Sequence, residues 1–129
     1  MVNSIEIGKA IYAVLSEDEK VKGIVGKKIY PLIAPVNTTY PFCVYSRESI
    51  NPSYCKDGNH EDSVNVTIIS CSNDYTESAE LANAIREALE LKHGSINNLV
   101  IKQIRITNIT ESFVDDAYLQ RIYFNIITE

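Results

Sequence analysis

The first 26 residues place apolar side chains at helical spacing. Four of them share one face of a helix: Ile7, Ile11, Val14 and Leu15. This spacing predicts an amphipathic helix, and Asn3 and Glu6 have the spacing of a capping box at its start. A second capping-box spacing, from Ser16 to Glu19, predicts a short second helix that ends at Gly26.

A period of two predicts two long strands in the middle of the chain. Residues 41–49 begin at a proline and are rich in aromatic and β-branched side chains, whereas residues 63–71 place Val64, Val66 and Ile68 on one face. The polar stretch from Ile50 to Asp62 predicts an irregular hairpin tip. Its turn is expected at residues 56–59, because Asp-Gly supports positive φ.

A third helix and two closing strands follow. The helix is predicted from Asn73 or Asp74 to Gly94, and its apolar stripe comprises Leu81, Ala82, Ile85, Ala88 and Leu89. Strands are predicted at 99–110 and 117–128, with Asp115-Asp116 in the turn and a bulge between Ile101 and Ile104. The order of elements predicts one domain over residues 1–129. Its expected fold class is α+β, an antiparallel sheet of about four strands with helices packed on one face.

Some apolar residues fall opposite the side chains assigned to the core: Tyr45, Ile69, Ile109, Leu119, Tyr123 and Ile127. A sheet with apolar groups on both faces usually has its second face covered. The sequence does not distinguish between two covers for this second face, the N-terminal segment and another subunit.

Composition narrows the function classes. The formal net charge is −5 and Lys27-Lys28 is the only basic pair, so a phosphate-binding stripe for nucleic acid is not expected. Apolar runs fall far short of a membrane span. Cys43, Cys55 and Cys71 lack a C-x-x-C spacing, which predicts reduced thiols in a protein made in the cytoplasm.

Candidate chemistry is sparse. Cys55, His60, Glu61 and Asp62 are potential metal ligands, but their spacing matches no closed zinc site and predicts a solvated tip instead. Cys43 lies inside a strand with no neighbour that would activate it. The sequence therefore predicts a protein without catalytic activity, metal or cofactor.

Several segments together resemble one family. After the N-terminal helix come Ile29-Tyr30-Pro31, Ala34-Pro35 and the run Tyr40-Pro41-Phe42-Cys43-Val44-Tyr45. A hairpin with a charged tip, a helix that begins at Tyr75 and a last strand through Arg121 to Ile126 complete the pattern. In order and spacing these segments resemble the tail completion, or tail terminator, proteins of long-tailed (siphovirus-type) bacteriophages and prophages.

The resemblance implies a structural protein of the virion tail, assembled in the bacterial cytoplasm. It implies a homo-oligomeric ring, generally hexameric, at the head-proximal end of the tail tube. The ring would stop tail polymerisation and dock to the head connector, so the tail tube protein and a head completion protein are the implied partners. The alternatives are a related head-completion or minor tail component, or a small cytoplasmic enzyme with a Cys/His site.

Two surfaces are the candidate interfaces. The hairpin tip is longer than usual hairpin loops, and long loops tend to be functional or disordered. The second sheet face offers apolar and aromatic groups for docking. The candidate residues are Tyr54, Lys56, Asp57, His60, Glu61 and Asp62 at the tip, and Tyr45, Ile69 and Tyr123 on the sheet.

Overall fold

Three helices pack against one face of a six-stranded sheet in the computed structural model, which describes residues 2–129. After a 3-10 turn at Ser4–Glu6, the elements in chain order are α1 (Ile7–Glu17), α2 (Glu19–Val25), β1 (Ile29–Pro31), β2 (Phe42–Cys55), β3 (Gly58–Ser72), α3 (Tyr75–Leu89), β4 (Gly94–Ile96), β5 (Leu99–Val114) and β6 (Ala117–Thr128).

The sheet has the strand order β1-β2-β3-β6-β5-β4. β1 pairs with β2 in parallel, and every other neighbouring pair is antiparallel. The α+β class and the helices on one face agree with the prediction, but the expected number of about four strands was too low. β1 and β4 are three residues each, too short for a period of two to be visible.

The core lies between the helices and the central strands. Phe124 is the largest fully buried side chain, and it belongs to the face of β6 that also carries Ile122 and Ile126. The predicted apolar faces of α1 and α3 close over these strands, with Leu15 and Leu81 both fully buried. The helix periodicity therefore predicted the core correctly.

The helix caps differ in part from the prediction. At α2, the Asp18 side chain accepts hydrogen bonds from the backbone N–H groups of Lys20 and Val21, both at 3.0 Å. The Ser16–Glu19 capping box was wrong, because Ser16 still lies within α1. The Asn3 side chain bonds the Glu6 carboxylate and makes no cap hydrogen bond to the backbone. Gly26 ends α2 with φ +63°, as predicted.

The third helix starts as predicted but ends early. The Asp74 side chain accepts from the backbone N–H of Glu77 at 3.1 Å. The helix ends at Leu89, not Gly94, because Leu91 adopts φ +64° and its N–H donates to the Ile104 carbonyl of β5. Gly94 instead begins β4 with φ +107°.

The hairpin between β2 and β3 is longer and more regular than predicted. Ladder pairing continues from Phe42↔Cys71 to Cys55↔Gly58, with register shifts at Arg47/Ser49 and Ser53/Tyr54. The expected irregular loop from Ile50 to Asp62 was wrong, because backbone hydrogen bonding needs no apolar alternation. The turn position was right, since only residues 56 and 57 connect the strands and Gly58 has φ +112°.

Bulges decide which side chains face the helices. The predicted bulge is present between Ile101 and Gln103, and a second register shift lies between Ile106 and Asn108. The second shift moves Ile109 to the helix-covered side, in the row of Ile122, so its assignment to the open face was wrong. Tyr45 was also misassigned, because it pairs with Ile68 and packs against the core.

Candidate assembly surfaces

The first candidate surface is the hairpin arm, defined as Ser53–Asp62. Tyr54 is exposed over 74% of its surface, and Lys56 and Asp57 occupy the turn. The exposed His60 ring lies against the Cys55 thiol, whose sulfur also accepts from the Asp57 backbone N–H at 3.2 Å. Aromatic, charged and thiol groups therefore project together from the end of the arm.

Two residues of the arm, Asp62 and Glu61, bind other groups of the same chain. Asp62 is only 6% exposed and accepts a hydrogen bond at 3.1 Å from the Asn59 side chain, which also donates to the Ser53 carbonyl. Glu61 forms an ion pair at 3.4 Å with Lys102 of β5. These contacts orient the arm. They leave Tyr54 and the turn as the parts of the predicted set that are free to meet a partner.

The second candidate surface is the open face, the side of the sheet opposite the helices. Half-buried apolar groups alternate there with polar ones, and they include Ile69, Leu119, Tyr123 and Ile127. A polar ladder crosses it, in which the Asn125 side chain donates to Ser63 Oγ at 2.8 Å and to Asn65 Oδ1 at 3.2 Å. The predicted residues Ile69 and Tyr123 lie on this face.

A shallow hollow of about 390 Å³ lies on the open face. The residues that line it include Tyr123, Glu48, Ser49 and Asn108. The combination of an aromatic residue with hydrogen-bonding residues suits the binding of another protein, since aromatic residues are enriched at the centres of protein–protein interfaces.

The two lateral edges of the sheet carry exposed apolar groups that the sequence reasoning missed. At one side is the β1 edge, defined as Lys27–Tyr40, where Leu32, Ile33 and Val36 are 74%, 79% and 91% exposed. At the other side is the β5 edge, defined as Ile109–Asp116 together with Tyr75, where Phe113 is 57% exposed. Apolar residues between Pro31 and Pro35 were the available sequence signal for the first of them.

The β5 edge has an ordered aromatic cluster. The Tyr118 ring lies 5.5 Å from that of Tyr75 and 4.8 Å from that of Phe113, centroid to centroid. The Tyr75 hydroxyl donates to the Glu111 carboxylate at 2.9 Å, and this contact raises the pKa of the Tyr75 phenol. The Gln120 side chain donates to the same carboxylate at 3.1 Å. These two hydrogen bonds hold the Glu111 carboxylate beside the aromatic cluster.

Another hollow, of about 780 Å³, lies where α1 and α2 meet the end of α3. Its charged groups are partly paired, since Lys20 Nζ lies 2.7 Å from the Glu87 carboxylate. This pair lowers the pKa of Glu87 and raises that of Lys20. Within residues 2–129 no group of three or more His, Cys, Asp or Glu side chains is arranged to hold a metal.

Burial governs the chemistry of two of the three free thiols. Loss of solvation raises the pKa of Cys43 to about 12 and that of Cys71 to about 11. Cys43 faces the helices and Cys71 the open face, although their strands pair. Only Cys55 is exposed. In the part of the chain that is described, every helix is too short or too polar to cross a bilayer.

Comparison with solved structures shows where this fold occurs. A chain from the virion of a native gene transfer agent particle superposes with a TM-score of 0.82 at 16% sequence identity, covering 94% of this chain and 92% of its own. A second solved structure, which carries no functional name, superposes with a TM-score of 0.58 at 12% identity and covers 95% of each chain. At these identities the likeness is one of fold.

Comparison with protein families is more specific. No curated protein matches the sequence. A family model described as Tail completion protein gp17 matches residues 9–128. This range includes every helix and strand from α1 to β6, apart from the first two residues of α1. The match confirms the family resemblance seen in the sequence, and it supports a structural role in a phage tail. The chain belongs to the tail completion protein gp17 family.

Proposed function

We propose that this chain forms a homo-oligomeric ring, generally a hexamer, on the head-proximal end of a phage tail tube. The ring stops addition of tube subunits and presents the surface that docks to the head connector. The family match over residues 9–128 carries this proposal. The fold shared with a chain of a virion supports it, since that chain too is part of an assembled particle.

The candidate surfaces give the ring a means of contact. The hairpin arm extends past the end of β6 and carries the exposed Tyr54. Tyrosine combines an apolar body with a polar tip, which suits interfaces. The open face offers Ile69 and Tyr123 beside a polar ladder. In this proposal, the arm contacts a neighbouring subunit or the tail tube, and the open face is covered on assembly.

The proposed role is structural, without a catalytic step. Of the three thiols, Cys43 and Cys71 have raised pKa values and so stay protonated and unreactive at neutral pH. Free subunits carry a formal net charge of −5, which keeps them apart at low salt. Self-association in isolation is therefore weak, and it strengthens with protein and salt concentration.

The test is a capping assay in vitro. Purified tube protein is allowed to polymerise with and without the chain, and tube lengths are measured by electron microscopy. The proposal expects shorter tubes with a distinct ring at one end only. Tubes of unchanged length with no bound ring would overturn it. Binding to the head connector without binding to the tube would instead favour a head-completion component.

A further inference from the structure

The β1 edge and the β5 edge carry opposite charge. Residues 27–40 include Lys27 and Lys28 and no acidic residue, whereas residues 109–116 include Glu111, Asp115 and Asp116 and no basic residue. Both edges also expose large apolar side chains at their centres. An apolar centre with a charged rim is the usual composition of a protein interface, and opposite charges would set the orientation of the partners.

The pairing registers place the two edges at the same level of the sheet. Ile29 is connected to Glu111 through one continuous row of partners: Cys43, Ser70 and Gln120. In the same way, Pro31 lies in the row of Ile109. Two copies placed side by side would therefore bring these edges together without a shift along the strands.

The strand directions suit such a contact. β1 is parallel to β2, and the alternation through β3 and β6 makes β5 antiparallel to β1. If neighbouring sheets face the same way, the β1 edge of one copy runs antiparallel to the β5 edge of the next. Within residues 2–129, no strand pairs with the outer side of β1, or with that of β5 beyond Ile101. The outer side of β1 offers little backbone pairing, because Pro31 has no N–H and the Ile29 N–H donates to the Lys27 carbonyl. Side chains therefore carry the contact.

We propose that the ring is closed by this contact, with the β1 edge of each subunit seated on the β5 edge of its neighbour. Lys27 and Lys28 lie at the level of residues 112–113, between the carboxylates of Glu111, Asp115 and Asp116, and the apolar side chains that follow Pro31 lie near the level of Ile109. The contact is heterologous, because two different surfaces meet, and such contacts generate rings when the rotation closes. This inference rests on the proposed ring and names the surfaces that join its subunits.

Crosslinking tests the contact directly. In a Cys55→Ser background, which removes the exposed native thiol, Ile33→Cys and Thr110→Cys place one thiol on each edge. At protein concentrations where sedimentation shows oligomers, a short bis-maleimide is expected to give a ladder of covalent species from the double variant. Each single variant alone should give no ladder, and an equal mixture of the two should stop at dimers, because a heterologous contact needs both thiols.

The outcomes separate this inference from the ring itself. Oligomers that sediment but yield no ladder would overturn the edge contact while leaving the ring in place. Dimers from a single variant alone would also overturn it, because they indicate an isologous contact. A chain that forms no oligomer even on tail tubes would overturn the ring, and the edge contact with it.

Charge variants give a second readout. Lys27→Glu with Lys28→Glu should weaken self-association about tenfold, since the introduced carboxylates would then repel those of the β5 edge. Lys22→Glu with Lys92→Glu makes the same change in net charge at exposed sites outside the two edges, and should change association less than about twofold. Equal weakening by both pairs would contradict the contact, because it would reflect general repulsion between acidic subunits.

Discussion

Replacing the hairpin arm, Ser53–Asp62, with an Asn-Gly turn should leave the fold intact and abolish ring assembly. The replacement keeps the pair Asn51↔Ser63 and removes the cross-strand pairs beyond it. None of the core residues lies in the arm, and most of its side chains are exposed. The change therefore removes a projecting surface with little of the buried core.

The expected loss of stability follows from the contacts removed. Five cross-strand pairs are lost: the four β2–β3 pairs from Pro52↔Asp62 to Cys55↔Gly58, and the β3–β6 pair Asp62↔Thr128. Each is worth about 0.2–1 kcal/mol. The exposed ion pair between Glu61 and Lys102 adds at most about 1 kcal/mol. The free energy of unfolding should fall by about 1–6 kcal/mol. The centre of this range, about 3 kcal/mol, lies below the about 5–15 kcal/mol of stability that is typical of a domain.

Urea unfolding measures the stability of the shortened protein. Sedimentation measures its self-association, and electron microscopy measures the length of the tails it produces. The matched control, Lys102→Gln, removes the same ion pair with Glu61 from outside the arm, keeps the arm at full length and should assemble normally. If the shortened protein still yields tails of normal length that join heads, the arm is only a connector. The reasoning that assigns it a role in assembly would then be refuted.

Other residues give further predictions. In the native protein at pH 8, maleimide should label Cys55 and spare Cys43 and Cys71, and the triple Cys→Ser protein should still cap tails; a well-folded triple variant that fails to assemble would point to a role for a thiol. Because the pKa of Cys43 is raised to about 12 from 9.0, the unfolded chain releases its thiol proton first, so stability should decline as the pH rises through this range. Phe124→Ala should cost about 3–5 kcal/mol in chemical denaturation, and a loss below 1 kcal/mol would contradict its place in the core. Asp74→Ala should cost about 1 kcal/mol by removing the α3 cap, whereas Asp74→Asn should restore most of it.

The sequence predicted the helices and their buried faces well, because a period of 3.6 residues is long and regular in α1 and α3. It failed at Tyr45, since the run from Phe42 to Tyr45 is apolar at every position and indicates no preferred face. It failed at Ile109, because the bulge beside Asn108 reverses the alternation and has no distinctive residue type.

The candidate surfaces were predicted less completely than the fold. The sequence identified the charged turn of the hairpin, but the arm's regular pairing comes from backbone hydrogen bonds that any polar residue allows. The exposed β1 and β5 edges depend on which strands end the sheet. Strand order results from tertiary packing, and residues far apart in the chain, such as Ile29 and Glu111, share a row only once the sheet has formed.

The central claim is that the chain ends tail growth as a ring. Its most direct measurement is electron microscopy of tails assembled in cells with and without this gene. The account predicts that tails made without it vary widely in length, lack a ring at the head-proximal end and remain unjoined to heads, and that restoring the chain reverses all three defects. Tails of uniform length that join heads in its absence would contradict the account.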